Sequence, residues 1–403
     1  MTQLPVSVVV VSRDRPDALR VCLTGLLRLN YDCFEVVVVA DAAGISVAQE
    51  VSDQIKTVAF GDPNISAARN AGINAAGGEV VAFIDDDAVP EPQWLRHLVA
   101  PFAQGDVMAA GGFVLGRNGI SFQWKARMAF DDGSSVPFDV SQTSILEGSK
   151  GRAIKTEGTN MAFRRDTLVQ MGGFDPRFAF YLDETDLNMR LAGKTAKTAI
   201  VPNAQVHHGY AASARRTANR VPRTLFEIGA SSAVFATKHA TLPLAQVRRA
   251  TRQSQRNRVL RAMVRGDLVP SDVRKLMMTF EKGWEAGLAR GIVPVQIGTA
   301  PTFDPVVPLI CKHSHTIISG REYKRHQVLS EAAQAAREGG QVSAYVFTFT
   351  SVFHRVRFHL DGYWLQTGGQ FGRSKRTSRL FQFWTLAKRV KHEANRVKSV
   401  REL

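Results

Sequence analysis

The sequence predicts an α/β protein: a mainly parallel sheet with helices on both faces, followed by a basic helical and mixed α/β extension. Three observations carry this expectation. From Val6 to about Pro202, short β-branched runs alternate with helix-like segments. Those runs are continuously apolar, as strands covered on both faces are. Beyond Tyr210 the chain turns Arg-rich and helical.

The elements follow in order. "VSVVVV" (6–11) reads as the first strand, and Pro16 suits the first turn of a helix that keeps Leu19, Cys22, Leu23, Leu26 and Leu29 on one face. "FEVVVVAD" (34–41) is a second strand and "IKTVAF" (55–60) a weaker third. "NISAARNAGINAAGG" reads as a helix capped by Ser66 and stopped by Gly77–Gly78. A fourth strand runs from Val80 to Ile84 into Asp85, Asp86 and Asp87. "VMAAGGFVLG" (107–116) is a further strand, whereas 117–155 shows no readable period. "EGTNMAF" (157–163) is a strand and "DETDLNMRLAGK" (183–194) a helix with acids in its first turn. Later come a strand near 315–319, a helix near 325–338, and a hairpin turning at Asp361–Gly362.

Composition narrows the function classes. The chain has 403 residues, 44% of them hydrophobic, and no apolar run approaches the roughly 18–20 residues of a membrane span. The first apolar run is short and lacks a basic flank, so a cytoplasmic protein is expected. Cys22, Cys33 and Cys311 have neither disulfide-framework nor zinc spacing and read as buried thiols. The formal net charge of +16 favours an anionic partner: nucleic acid, an anionic membrane surface or a phosphorylated substrate. Nucleic acid is the weakest of these, because zinc-finger spacing, an RNP-like aromatic motif and a basic heptad helix are all missing from the sequence.

The chemistry concentrates in a few clusters. Adjacent carboxylates at the end of a buried strand repel one another unless something positive lies among them, and a hard divalent cation satisfies that condition. The competing reading is a solvated acidic loop. Arg69 and Asn70 precede this strand on a helix facing the same end of the sheet, where an Arg suits phosphate. Asp183, Glu184 and Asp186 either complement a helix dipole or include a general base for an incoming hydroxyl. Of His207 and His208, one is a candidate ligand and the other a structural imidazole.

The ordered blocks "VSVVVVSRDRP", "NISAARNAGINAAGGEVVAFIDDDAVPEPQWL", "EGTNMAFRRDTLVQMGGFDPRFAFYLDETDLNMRL" and "AQVHHGY" resemble family 2 glycosyltransferases of the Rossmann-like GT-A fold over about residues 5–240. The resemblance implies a nucleotide-sugar donor, a divalent metal (Mn or Mg) and inversion at the anomeric carbon. Asp85 and Asp87 match the outer positions of the DxD motif, with Asp87 the more direct metal ligand and His208 a further one. Arg13, Asp41, Arg69, Asp85 and Asp86 fall to the donor side, and Trp94 and Asp186 to the acceptor side. Glu184 takes the position of the base, with Asp183 in reserve. Members usually carry an acid pair or Asp-Asn after the second strand; here Ala40 precedes Asp41. The missing QxxRW motif implies single addition to a glycan, lipid-linked or cell-envelope acceptor. The expected organisation is a GT-A domain (1–240) followed, outside the resemblance, by a basic helical linker (241–293), a small α/β module (294–372) and a basic amphipathic tail (373–403), with contact to an anionic membrane as one role for the extension. An inactive GT-A scaffold and a basic nucleic-acid-binding protein are the rival readings.

Overall fold

The computed structural model describes residues 3–402 apart from 195, 210–216, 218–220 and 311. The first half is β1 (Val6–Ser12), α1 (Pro16–Leu26), β2 (Phe34–Ala40), α2 (Ala42–Val51), β3 (Lys56–Ala59), α3 (Ile65–Ala75) and β4 (Val80–Asp85). Its strands pair in parallel in the order β3-β2-β1-β4. Every residue of β2 is buried, which is why the run shows no polar alternation. Val6, Val8 and Val10 of β1 pack with α1 and α2, while Val9 packs with α3 on the opposite face.

The sheet continues through β5 (Ala88–Pro90), α4 (Trp94–Val99) and β6 (Val107–Leu115). The stretch without a readable period forms β7 (Phe122–Trp124), β8 (Arg127–Phe130), β9 (Ser135–Pro137), β10 (Ser144–Glu147) and β11 (Arg152–Lys155). β12 (Asn160–Arg164) then runs antiparallel between β4 and β6, followed by α5 (Arg165–Gln170), α6 (Asp183–Ala192) and β13 (Lys197–His208). β13 lies parallel to β6 and antiparallel to β5, with His208 opposite Ala88. That register sets the end of β13 beside the three aspartates.

α7 (Phe226–His239), α8 (Leu244–Val264) and α9 (Pro270–Leu288) close around Phe280 and Trp284 as one helical unit. A Cβ at Gly283 would lie 2.0 Å from the Phe226 carbonyl oxygen, so α7 and α9 approach closely only because that position is glycine. α7 also packs Val234 and Phe235 on Phe178 and Leu182, so the expected boundary at residue 240 cuts through this unit.

Residues 291–310 form an extended strap along the first half-sheet, where Val306 N–H donates to the Phe34 carbonyl at 2.9 Å and Leu309 N–H to that of Leu27 at 2.7 Å. The strap leads to β14 (Lys312–Arg321), α10 (Arg325–Arg337), β15 (Gly340–Thr348), β16 (Arg355–Phe358), β17 (Trp364–Gly369) and α11 (Leu386–Arg401). Their sheet has the order β14-β15-β17-β16, and β16–β17 is the expected hairpin, turned through Gly362 at φ +86°. The expected basic tail is part of this module: Val390, Ala394, Val397 and Val400 of α11 are buried.

Two smaller expectations change. Asn64, not Ser66, caps α3 by accepting from Ala67 N–H at 3.1 Å; Ser66 lies inside the helix and donates to the Phe178 carbonyl at 2.7 Å. Cys22 is buried but Cys33 only half so, and Cys311 lies outside the described residues. Among the described residues no helix is long and apolar enough to cross a membrane.

One buried ion pair joins α11 to the first domain. Arg401 donates Nε and Nη2 to Glu91 at 2.7 and 2.8 Å, and Glu91 also holds His207 Nε2 at 2.7 Å. Burial works against the Glu91 carboxylate, but Arg401 and His207 outweigh it and hold its pKa down to about 2. Arg401→Met strands that charge and lowers unfolding free energy by about 3–5 kcal/mol in denaturant titration, while Glu91→Gln/Arg401→Met recovers a large part. Because the folded pKa is depressed, the wild-type contribution is complete above the ordinary value of 4.5 and is lost as pH falls through about 2.

Candidate active site

The carboxyl end of β4 carries three acids, each with its own compensation. Asp86 points inward with no exposure, accepts from Ser12 Oγ at 2.7 Å and meets Arg15 at 2.7 Å. Burial prevails there, pushing its pKa up to about 7 against the pull of Arg15. Asp85 accepts from Thr159 Oγ1 at 2.5 Å and lies 3.8 Å from Arg69. Asp87 lies 3.2 Å from His208 Nε2 and 3.4 Å from Arg15.

Asp85, Asp87 and His208 each offer a donor atom, all within 4.8 Å of one another. His208 Nδ1 is turned to Gln123 Oε1 at 3.1 Å, and an imidazole that donates there presents Nε2 as an acceptor toward the two carboxylates. Two oxygens and one oriented nitrogen suit a divalent cation, so these residues fit the metal the resemblance implies. Gly209 N–H donates to the Asp87 carbonyl at 2.6 Å, an approach that leaves 2.9 Å for a Cβ at position 209.

The second acid cluster opens α6. Tyr181 (φ 75°) and Leu182 (φ 66°) are both left-handed, an uncommon conformation for such side chains, and they turn the chain so that α6 starts at the cavity. The preceding loop is clamped from both sides. Ile65 N–H and Ser66 Oγ of α3 donate to Ala179 and Phe178 carbonyls, and Ser231 Oγ of α7 donates to that of Phe180.

Asp183 is bound by Arg69 Nη1, whose Nη2 donates to the Gly158 carbonyl at 3.1 Å. Burial raises the Asp183 pKa to about 7; Arg69 opposes this and the neighbouring Glu184 adds to it. Glu184 is half-buried, and Lys155 Nζ at 2.8 Å outweighs the desolvation and holds its pKa down to about 2. Lys155 in turn bridges to Glu157 at 2.8 Å.

Both clusters open on one cavity of about 570 Å³. Arg15, Asp85, Asp87, Asp183, Glu184 and His208 line it, and Glu227 and Arg258 extend the wall from the helical unit.

Other sequence candidates lie elsewhere. Trp94 is fully buried and donates Nε1–H to Asn160 Oδ1 at 2.8 Å, so it is a core residue, not an acceptor wall. Asp186 has no exposure and is held by His239 and Lys238 at 2.7 Å and Arg190 at 2.9 Å; despite burial these cations keep its pKa well below the carboxylate range. It is a buried acid neutralised by side-chain cations. Arg13 turns to Asp14 at 3.2 Å, and Arg15 occupies the cavity instead. Asp41 caps α2, accepting from Gly44 N–H at 2.9 Å and Asp14 N–H at 2.7 Å. Asn70 holds the Phe174 backbone, and His207 is the structural imidazole of the pair. Lys155, Thr159 and Gln123 went unread: they lie in or beside short strands with too few residues to show a period.

Residues 7–171 match the family model described as Glycosyl transferase family 2. The chain is 29% identical over 195 residues to the glucosyl-dolichyl phosphate glucuronosyltransferase of Haloferax volcanii, an alignment covering 43% of this chain and 56% of that one. It is 26% identical over 238 residues to the O-antigen biosynthesis protein RfbC of Myxococcus xanthus, covering 54% of this chain and 18% of that one. The chain thus spans about half or less of the length of these relatives. Among solved structures, S. aureus TarS 1–349 aligns with TM-score 0.43 and 18% identity over 61% of this chain and 68% of that one. The mannosyltransferase PcManGT from Pyrobaculum calidifontis, in complex with GDP-Man and Mn2+, aligns with TM-score 0.41 and 16% identity over 73% and 78%. The sequence blocks and the matched model agree over residues 7–171, the part of the chain that is similar to glycosyl transferase family 2.

Proposed function

We propose that the protein is an inverting, metal-dependent glycosyltransferase that moves one sugar from a nucleoside-diphosphate sugar to a hydroxyl of a glycan or lipid-linked acceptor. The observation carrying this reading is the meeting of a cation-competent Asp85–Asp87–His208 cluster and a carboxylate pair, Asp183–Glu184, in one cavity. A relative named for a glucosyl-dolichyl phosphate acceptor supports the lipid-linked alternative.

In this reading Asp85, Asp87 and His208 hold Mn or Mg, which supplies positive charge opposite the donor's diphosphate. Arg15 and Arg69 add fixed positive charge on the same side and need no reorganisation as the leaving group gains charge. Glu184 accepts the proton of the attacking hydroxyl. Its side chain is 15% exposed against 5% for Asp183, and Asp183 is occupied in holding Arg69. Lys155 keeps Glu184 ionised and aimed; Asp183 and Gly158 keep Arg69 between the two acid clusters.

The metal site is tested without turnover. Manganese added with a nucleoside diphosphate raises the Tm of the wild type, and Asp87→Ala abolishes the manganese-dependent part. A wild-type Tm that ignores manganese across a nucleotide panel removes the reading.

The base is tested by kinetics. Glu184→Gln lowers kcat about 10²–10⁴-fold with donor affinity retained. Lys155→Met removes the cation that depresses Glu184, so the acid limb of the kcat profile moves to higher pH. A larger kcat loss in Asp183→Asn than in Glu184→Gln, at unchanged donor affinity, transfers the role to Asp183.

A further inference from the structure

The C-terminal module carries a surface that the catalytic reading does not use. Phe371 sits at the centre of an aromatic cluster, with ring centroids 4.8 Å from Phe349, 5.3 Å from Phe381 and 6.4 Å from Phe383. Most of this cluster faces outward: Phe349 is 70% exposed, Phe381 46% and Phe383 90%. Val352, Phe353 and Leu380, each more than half exposed, come from the same two segments. Single exposed apolar residues are ordinary, but a contiguous aromatic group of this kind is not.

The surroundings are cationic. Arg321 lies 5.1 Å over the Phe349 ring and Arg373 4.7 Å over that of Phe353. Between Asp361 and Glu393 the sequence contains seven Lys or Arg residues and no Asp or Glu. Of these, Lys375, Arg376 and Arg379 are exposed and fall between Phe371 and Phe381. Trp384 is only half exposed, with Nε1–H donating to Gln382 and its ring against His392 of α11.

We infer that this face, Phe349, Phe381 and Phe383 with Arg373 and the exposed Lys375, Arg376 and Arg379 of the segment joining Phe371 to Phe381, docks the protein on an anionic lipid surface. Charge complementarity selects the occupant. Aromatic rings settle at the headgroup boundary of a bilayer, and nearby Lys and Arg gain from the negative potential of anionic lipids. A second copy of this chain would bring the same cations face to face, which like-charge repulsion disfavours. The surface stands on its own chemistry and does not depend on the transferase reading.

The test is co-sedimentation of the full chain with phosphatidylcholine vesicles, with and without a minority of phosphatidylglycerol. Wild type pellets with the anionic vesicles at about 0.1 M salt and is released at about 0.5 M. Lys375→Gln/Arg376→Gln lowers the partition coefficient on the order of tenfold or more. Phe383→Ser, at the most exposed position, weakens binding while leaving the Tm unchanged, which separates loss of docking from loss of fold. Failure to pellet with anionic vesicles, or equal pelleting of wild type and both variants, overturns the inference. So does a dimer in light scattering that Phe383→Ser dissociates, since the face would then belong to a second copy. Nucleotide-dependent thermal shifts are read separately, so neither result prejudges the other.

Discussion

Repulsion among the three carboxylates that end β4 is the constraint around which the first domain is arranged. Asp85, Asp86 and Asp87 are consecutive, and two of them are buried. A buried carboxylate without compensation costs several kcal/mol. The compensation arrives from separate elements: Ser12 and Arg15 from the end of β1 and its loop, Arg69 from α3, Thr159 from the approach to β12 and His208 from the end of β13. The parallel order β2-β1-β4, with Val11 paired to Asp85, puts the β1 loop there, and the antiparallel β5–β13 pairing brings His208. Sheet topology and site electrostatics are therefore one solution. Where compensation is incomplete, as at Asp86 and Asp183, desolvation prevails and pushes the carboxyl pKa up.

Much of this was legible because the decisive signals are local. Apolar runs with no alternation gave the buried strands, and carboxylates, arginine and histidine placed next to strand or helix ends marked the site. What failed depended on directions that sequence spacing does not encode. Arg13 and Arg15 flank Asp14, whose φ of 57° swings the loop and decides which guanidinium reaches the carboxylates. Trp94 follows the acidic block closely, but the packing of α4 under the sheet takes its ring into the core. Lys155 contacts Glu184 across 29 residues, from a four-residue strand in a region where periodicity has no length in which to appear.

The basic excess is likewise divided by structure into two kinds. Some cations are consumed in internal networks: Arg248 and Arg252 hold Glu281, and Arg389 and Arg396 hold Glu393. Others, such as Lys375, Arg376 and Arg379, stand exposed in one short segment. Net charge alone cannot separate these populations, although only the second produces a field that a distant partner feels. The helical unit has a role beyond carrying charge, since α7 both clamps the loop before α6 and supplies Glu227 to the cavity wall.

The Glu91–Arg401 pair spans 310 positions of the chain. At ribosomal rates of about 5–20 residues per second, Glu91 waits on the order of 15–60 s for its partner to be made. A domain folded before then would hold the Glu91 carboxylate without its principal counterion, and His207, 116 positions further on, would be its earlier partner.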